Sequence, residues 1–199
     1  MSEKRIIEVD IDGVLMDIIN TARVVGGFTE LPSPYFPKDY GMTDAGEWRK
    51  PLLACATSPE TVAKCNLLEE AYDFLRGLFD KLDHTKYGVD VRGLMYSEAC
   101  VDARTKIIRP VLEAIDGGEN FFSLTFCIGD NNDGKQVTDS AYVYIEDYSA
   151  NLARSKATHK ILRDRSYNQE YNNPELETLK YHRAFSLSDC LDYIVKVCA

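Results

Sequence analysis

Asp10 and Asp12, separated by one residue and followed by Gly13, are the pair in this sequence best suited to chemistry. Residues two apart project to the same side of an extended chain, so both carboxylates can address one point beyond the segment that carries them. Two acids held that close repel each other unless a cation lies between them or they have different tasks. A hard, oxygen-rich site with few protein ligands suits Mg²⁺, which keeps several waters and a substrate phosphate oxygen in its shell. An aspartate can also be a nucleophile that forms a transient aspartyl-phosphate. The plainer alternative is an acidic turn after a strand, with Asp12 capping the next helix.

The element that must position this pair is the run Ile6-Ile7-Glu8-Val9-Asp10-Ile11, where Ile7, Val9 and Ile11 alternate with Ile6, Glu8 and Asp10. Its β-branched residues predict a central strand ending at Gly13. In open α/β sheets ligands bind at that carboxyl edge. Helix-compatible spacing follows from Met16 to Val25. Residues 28–57 then hold Pro32, Pro34, Pro37 and Pro51 among Phe28, Tyr35, Phe36, Tyr40 and Trp48, which predicts a compact irregular insertion. Its aromatics either form a small core of their own or line a pocket for a flat ring, since bases stack on Tyr, Phe or Trp. Ser58-Pro59-Glu60 opens a short helix with Ser58 as N-cap and Pro59 in the first position. Asn66-Leu67-Leu68-Glu69 reads as a capping box before a helix over about 67–83, whose Leu67, Ala71, Phe74, Leu75, Leu78 and Leu82 share one face.

The next strand, Val89 to Tyr96, ends at Ser97, which is either a phosphate-binding hydroxyl or an ordinary helix cap. In the helix after it, Ile107, Ile108, Val111, Leu112 and Ile115 share a face, and Pro110 fits best in the first turn because it has no N–H to donate. Phe122 to Ile128 alternates as a third strand. Its exit loop, Gly129 to Lys135, is acidic but lacks the glutamate of a calcium-binding helix-loop-helix. Ala141 to Ile145 is a buried strand that ends in Glu146-Asp147. Taken alone, these two acids could simply cap the helix starting near Ser149.

Asp10-Ile11-Asp12-Gly13-Val14-Leu15 resembles the first motif of the haloacid-dehalogenase-like phosphohydrolases, DxDGT or DxDGV after a buried strand. Ser97, Lys135 and Glu146/Asp147 follow in the order of that family's remaining motifs. The resemblance implies an α/β fold, a Rossmann-like mostly parallel sheet with helices on both faces and a small cap inserted after the first strand. Residues 1–199 would form one such domain, with 16–87 as the cap insertion and 28–57 its aromatic part. It implies a phosphoric monoester hydrolase in which Asp10 is the nucleophile and Asp12 the acid and base. Ser97 and Lys135 would bind the phosphate, and Asp10, the Asp12 carbonyl and Asp147 would hold Mg²⁺. Where the family commonly has two aspartates this chain has Glu146-Asp147, which makes Asp147 the better ligand. The tail from Ile145 to Asn151 and from Lys160 to Asn168 resembles the 5'(3')-deoxyribonucleotidase branch, which implies nucleoside monophosphates as substrates. Tyr35, Phe36, Tyr40 and Trp48 are then the candidates for stacking on the base. The rivals are a phosphatase acting on polynucleotide ends and an inactive binding protein on the same fold.

Composition narrows the partners. A chain of 199 residues with 45% hydrophobic and 28% charged residues can build one substantial core. Its net charge of −9 opposes broad binding to a nucleic-acid polymer, which depends on many Lys and Arg, and favours a small anionic ester instead. No apolar run reaches membrane-spanning length, and the first strand begins too early for a signal peptide, so the expected setting is cytoplasmic. The six cysteines show no CxxC pair and are expected to be reduced. Sequence leaves the oligomeric state open.

Overall fold

The computed structural model describes residues 3–27, 49–95, 97–128, 141–165, 168 and 180–199. Six parallel strands form one sheet in the order β3-β2-β1-β4-β5-β6: β1 (Arg5–Asp10), β2 (Tyr87–Met95), β3 (Phe122–Ile128), β4 (Ala141–Glu146), β5 (His159–Arg163) and β6 (His182–Ala184). The strand carrying Asp10 is central, as its composition predicts, with Val9 in register with Val91 on one side and Ile145 on the other. Because β2 and β4 lie on opposite sides of β1, the strand order reverses there. A crevice for ligands opens at the carboxyl ends of strands that part in this way.

Seven helices accompany the strands among the described residues: α1 (Ile18–Val25), α2 (Arg49–Ala56), α3 (Pro59–Lys64), α4 (Ala71–Lys81), α5 (Glu98–Glu113), α6 (Ser149–Arg154) and α7 (Leu187–Cys198). Ile7, Val9, Val89, Val91, Val143 and Ile145 point into the main core with Leu75 and Leu78 of α4, Ile108 of α5 and Leu191 and Ile194 of α7. Tyr144 and Leu162 point the other way, into a smaller core with Leu152 of α6. Helices therefore cover both faces, as expected for a parallel sheet.

Of the expected insertion 16–87, α1 packs against α2 and α3, and α3 rests on α5, whereas α4 packs on α7 in the layer that covers the sheet. Ser58 caps α3 through Thr61 N with Pro59 in the first turn, as read from the sequence. The capping box at Asn66 is not formed. Met16 bridges antiparallel to Leu67 and Leu68 N donates to Leu15 O at 2.8 Å, which holds this segment extended along the loop after β1 and delays the helix to Ala71. Glu70, at the start of α4, instead accepts from Arg163 Nη2 and from Leu187 N.

Pro110 also departs from expectation. It lies inside α5, in the last turn, because the helix starts at the Ser97 cap and its buried row runs Cys100, Arg104, Ile108, Leu112. Only the Lys106 carbonyl loses a partner there, and the helix ends three residues later. All six cysteines are free thiols. No helix among the described residues is long and apolar enough to cross a membrane.

Candidate active site

The loop that leaves β1 is folded back on itself. Ile11 O accepts from Leu15 N and Met16 N, and Gly13 N donates to Met16 O at 2.7 Å. Gly13 takes φ 80°, a conformation that a side chain disfavours, so glycine is what lets the chain turn directly after Asp12. Asp10 ends β1 almost fully buried, and β4 delivers Glu146 and Asp147 to the same edge.

One carboxylate oxygen from each of Asp10, Glu146 and Asp147 lies within 4.8 Å of the others. These hard oxygen donors, buried and crowded at a strand edge, fit a divalent cation such as Mg²⁺. Four donors reach Glu146: Oε1 accepts from Asp147 N and Tyr148 N, and Oε2 from the Tyr144 hydroxyl and Asn151 Nδ2. With four donors on two oxygens, Glu146 shapes the turn after β4. Tyr144 is buried, and burial, then the charges of Glu146 and Asp10, push its hydroxyl well above the usual phenol range. It is held as a donor.

Asp147 is fixed through its backbone as well. Asn168, buried, donates from Nδ2 to Asp147 O and Arg163 O, both at 2.8 Å, while its Oδ1 accepts from Arg165 N and Arg183 Nη1. Arg165 Nε donates to Gly13 O, so the segment after β5 braces both loops that carry the acids.

Asp12 turns toward α5, where its Oδ1 accepts from Nη2 of Arg104. Behind this pair lies the Cys65 thiol, which burial pushes above its ordinary value while the Thr21 hydroxyl and Arg104 act against that shift. Beneath Asp10, in-register residues of three strands form a polar row on one face: Asp90 accepts from Ser123 at 2.9 Å and Thr125 at 2.7 Å, and Arg92 lies between Asp90 and buried Glu8.

Ser97 stands just past the carboxyl end of β2 as the N-cap of α5, accepting from Cys100 N and directing its own proton at Cys100 Sγ. The hydroxyl can rotate toward another acceptor, so the cap does not preclude a second task. Lys135, Tyr35, Phe36, Tyr40 and Trp48 lie outside the described residues. Arg104 and Tyr144 have no assigned role in the sequence reading, and Asn151 and Asn168 enter it only within the tail that resembles the deoxyribonucleotidase branch. Arg104 carries a usable signal of its own, an arginine four residues before Ile108 on the apolar face of α5.

No family model and no curated protein sequence matches the chain. Solved structures do match along its whole length. A haloacid-dehalogenase-like hydrolase from Streptococcus pneumoniae is 14% identical with a TM-score of 0.54, covering 98% of this chain and 100% of its own. D,D-heptose 1,7-bisphosphate phosphatase from B. bronchiseptica, solved with magnesium and phosphate, is 12% identical with a TM-score of 0.56, covering 97% and 99%. A predicted phosphatase from Clostridium acetobutylicum is 13% identical with a TM-score of 0.50, covering 98% and 100%. Reversed strand order at β1, helices on both faces and this end-to-end match give the chain an α/β, Rossmann-like fold similar to that of these haloacid-dehalogenase-like structures, with an acidic cluster at its strand ends that could bind a metal.

Proposed function

We propose that the chain is a Mg²⁺-dependent phosphomonoesterase that hydrolyses nucleoside monophosphates, deoxyribonucleotides among them, through an aspartyl-phosphate on Asp10. The observation that supports this most is the convergence of Asp10, Glu146 and Asp147 within 4.8 Å at the ends of adjacent strands, with Asp12 two residues beyond the nucleophile. Asp10, the Asp12 carbonyl and Asp147 would hold Mg²⁺, which would supply the positive charge that lets an anionic carboxylate approach an anionic phosphate. Asp10 attacks phosphorus in line, and the bond from phosphorus to the sugar oxygen breaks as the new bond to Asp10 forms. Asp12 gives its proton to the departing oxygen, then takes one from the water that attacks phosphorus and frees inorganic phosphate. Both aspartates return to their starting states. Ser97 and Lys135 are assigned to the transferring oxygens, and Tyr35, Phe36, Tyr40 and Trp48 to the base.

The test is phosphate release from ribo- and deoxyribonucleotides, sugar phosphates and 5'-phosphorylated oligonucleotides, with Mg²⁺ and with a chelator, using Asp10→Asn as the blank. Nucleoside monophosphates should lead, and only with the metal. Full turnover by Asp10→Asn or in chelator would end the mechanism. Turnover confined to oligonucleotides would favour polynucleotide ends, a reading the net charge of −9 opposes. Failure on every ester would leave a binding protein.

A further inference from the structure

Arg104 sits at the middle of α5 with its side chain 1% exposed. Its Nη2 donates to Asp12 Oδ1, whereas Nε and Nη1 are buried with no oxygen or nitrogen acceptor among the described residues, and the Cys65 thiol lies beside the guanidinium. An apolar residue in the row Cys100, Ile108, Leu112 would fill this position without burying two donors that meet no oxygen or nitrogen acceptor, so stability alone gives a poor reason for an arginine here. What the arginine does provide is a fixed point for one carboxylate. The Asp12 side chain is 34% exposed and belongs to a loop, so without an anchor it would sample several rotamers at the edge of the site. α5 is a rigid element whose start is set by the Ser97 cap, and the guanidinium carries that rigidity to Asp12.

We propose that Arg104 is the positioning residue of Asp12: by holding Oδ1 from α5 it sets the direction from which Asp12 meets the leaving-group oxygen. The proposal rests on the reading of Asp12 as proton donor and acceptor. A misplacement of about 1 Å at such a group can cost about a hundredfold in rate, with no loss of fold or of substrate affinity.

The assay exploits the leaving group. An alkyl phosphate such as a nucleoside monophosphate needs its departing oxygen protonated, whereas 4-nitrophenyl phosphate releases a phenolate stable enough to leave without help. Since kcat/KM reports the step that transfers phosphorus to Asp10, wild type, Asp12→Asn, Arg104→Met, Arg104→Lys and the double variant Asp12→Asn/Arg104→Met are compared on both esters. Arg104→Met should lose about a hundredfold in kcat/KM on the alkyl ester and less than about threefold on the aryl ester, with KM little changed. Arg104→Lys should fall between Arg104→Met and wild type, and in the Asp12→Asn background Arg104→Met should add nothing. Equal losses on both esters would make Arg104 a packing residue and overturn the proposal. Discrimination by Asp12→Asn but not by Arg104→Met or Arg104→Lys would overturn it alone. Lack of discrimination by Asp12→Asn would overturn it together with the acid and base reading beneath it. If Arg104→Met does not fold, Arg104→Lys decides by the same pair of esters, and if neither folds, Arg104 is structural and the proposal falls.

Discussion

Asp10→Asn should make the metal-free protein more stable while removing the stabilisation that Mg²⁺ brings. Three carboxylates contribute oxygens within 4.8 Å of one another, almost wholly shielded from water. At an effective dielectric of about 20, two unit charges at the 4.8 Å limit repel by roughly 3.5 kcal/mol, a scale that shorter separations raise and the spread of charge over both oxygens of each group lowers. Asp10 faces two such neighbours, and the donors around Glu146 and the other polar partners of the cluster offset part of the repulsion. A net gain of about 1–2 kcal/mol on neutralising Asp10 is the reasonable scale, which for a domain of this size is about 2–8 °C in melting temperature. The wild type in excess Mg²⁺ should rise by about 3 kcal/mol at a hundred times the dissociation constant, and Asp10→Asn by far less. Thermal melts of both proteins in chelator and in graded Mg²⁺ measure both quantities without any substrate. A variant that melts at or below wild type in chelator and shifts equally with Mg²⁺ would show that these carboxylates neither strain one another nor hold a metal.

Tyr144→Phe removes one of the four donors to Glu146 from a fully buried site and should cost about 1.5–3 kcal/mol in denaturant unfolding, as for a hydrogen bond to a charged acceptor; a change below about 0.5 kcal/mol would remove Tyr144 from that role. Asp83, in the connection between α4 and β2, accepts from the Thr85 hydroxyl and backbone N–H and pairs with Lys86, which together lower its pKa to about 2. Because the folded value lies below the unfolded one, its contribution to stability is complete above about pH 4 and is lost as the pH falls toward 2. Carboxyl NMR titration should find that midpoint near 2, and one near 4 would remove the turn's hold on Asp83.

Much of the architecture could be read from local pattern. The strand run at Ile6 to Ile11, the Ser58 and Ser97 caps and the acidic end of β4 are each decided by a few adjacent residues, and each stands where the pattern put it. The misreadings came from contacts between distant segments. Nothing near Asn66 reveals that Leu68 N will bond Leu15 O, and the apolar spacing from Ile107 to Ile115 alone places Pro110 in a first turn, whereas the helix is set by the buried row beginning at Cys100. The site divides in the same way. Acids at strand ends are visible in sequence, but the groups that aim them act across long separations: Arg104 on Asp12, Asn168 on the Asp147 carbonyl and Arg165 on the Gly13 carbonyl. The part Glu146 plays is not legible in sequence because its four donors gather only when the turn after β4 closes around it.

The position of β1 between β2 and β4 also bears on how the molecule is made. Asp10 and Asp147 are separated by roughly 140 residues of synthesis, which at 5–20 residues per second is about 7–30 s. Once β2 has been made β1 can pair with it, but until residues 141–146 follow β1 cannot pair with β4, so the edge that will hold the central ladder of the finished sheet presents unpaired N–H and C=O groups. Such an edge is a template for any extended chain nearby. The nascent chain is thus most exposed to mispairing along the strand that carries its nucleophile, and the three carboxylates first meet when β4 docks and closes that edge. Substitutions that slow the docking of β4 should therefore reduce the yield of folded protein more than they reduce its final stability, and residual chaperone association should map to β1.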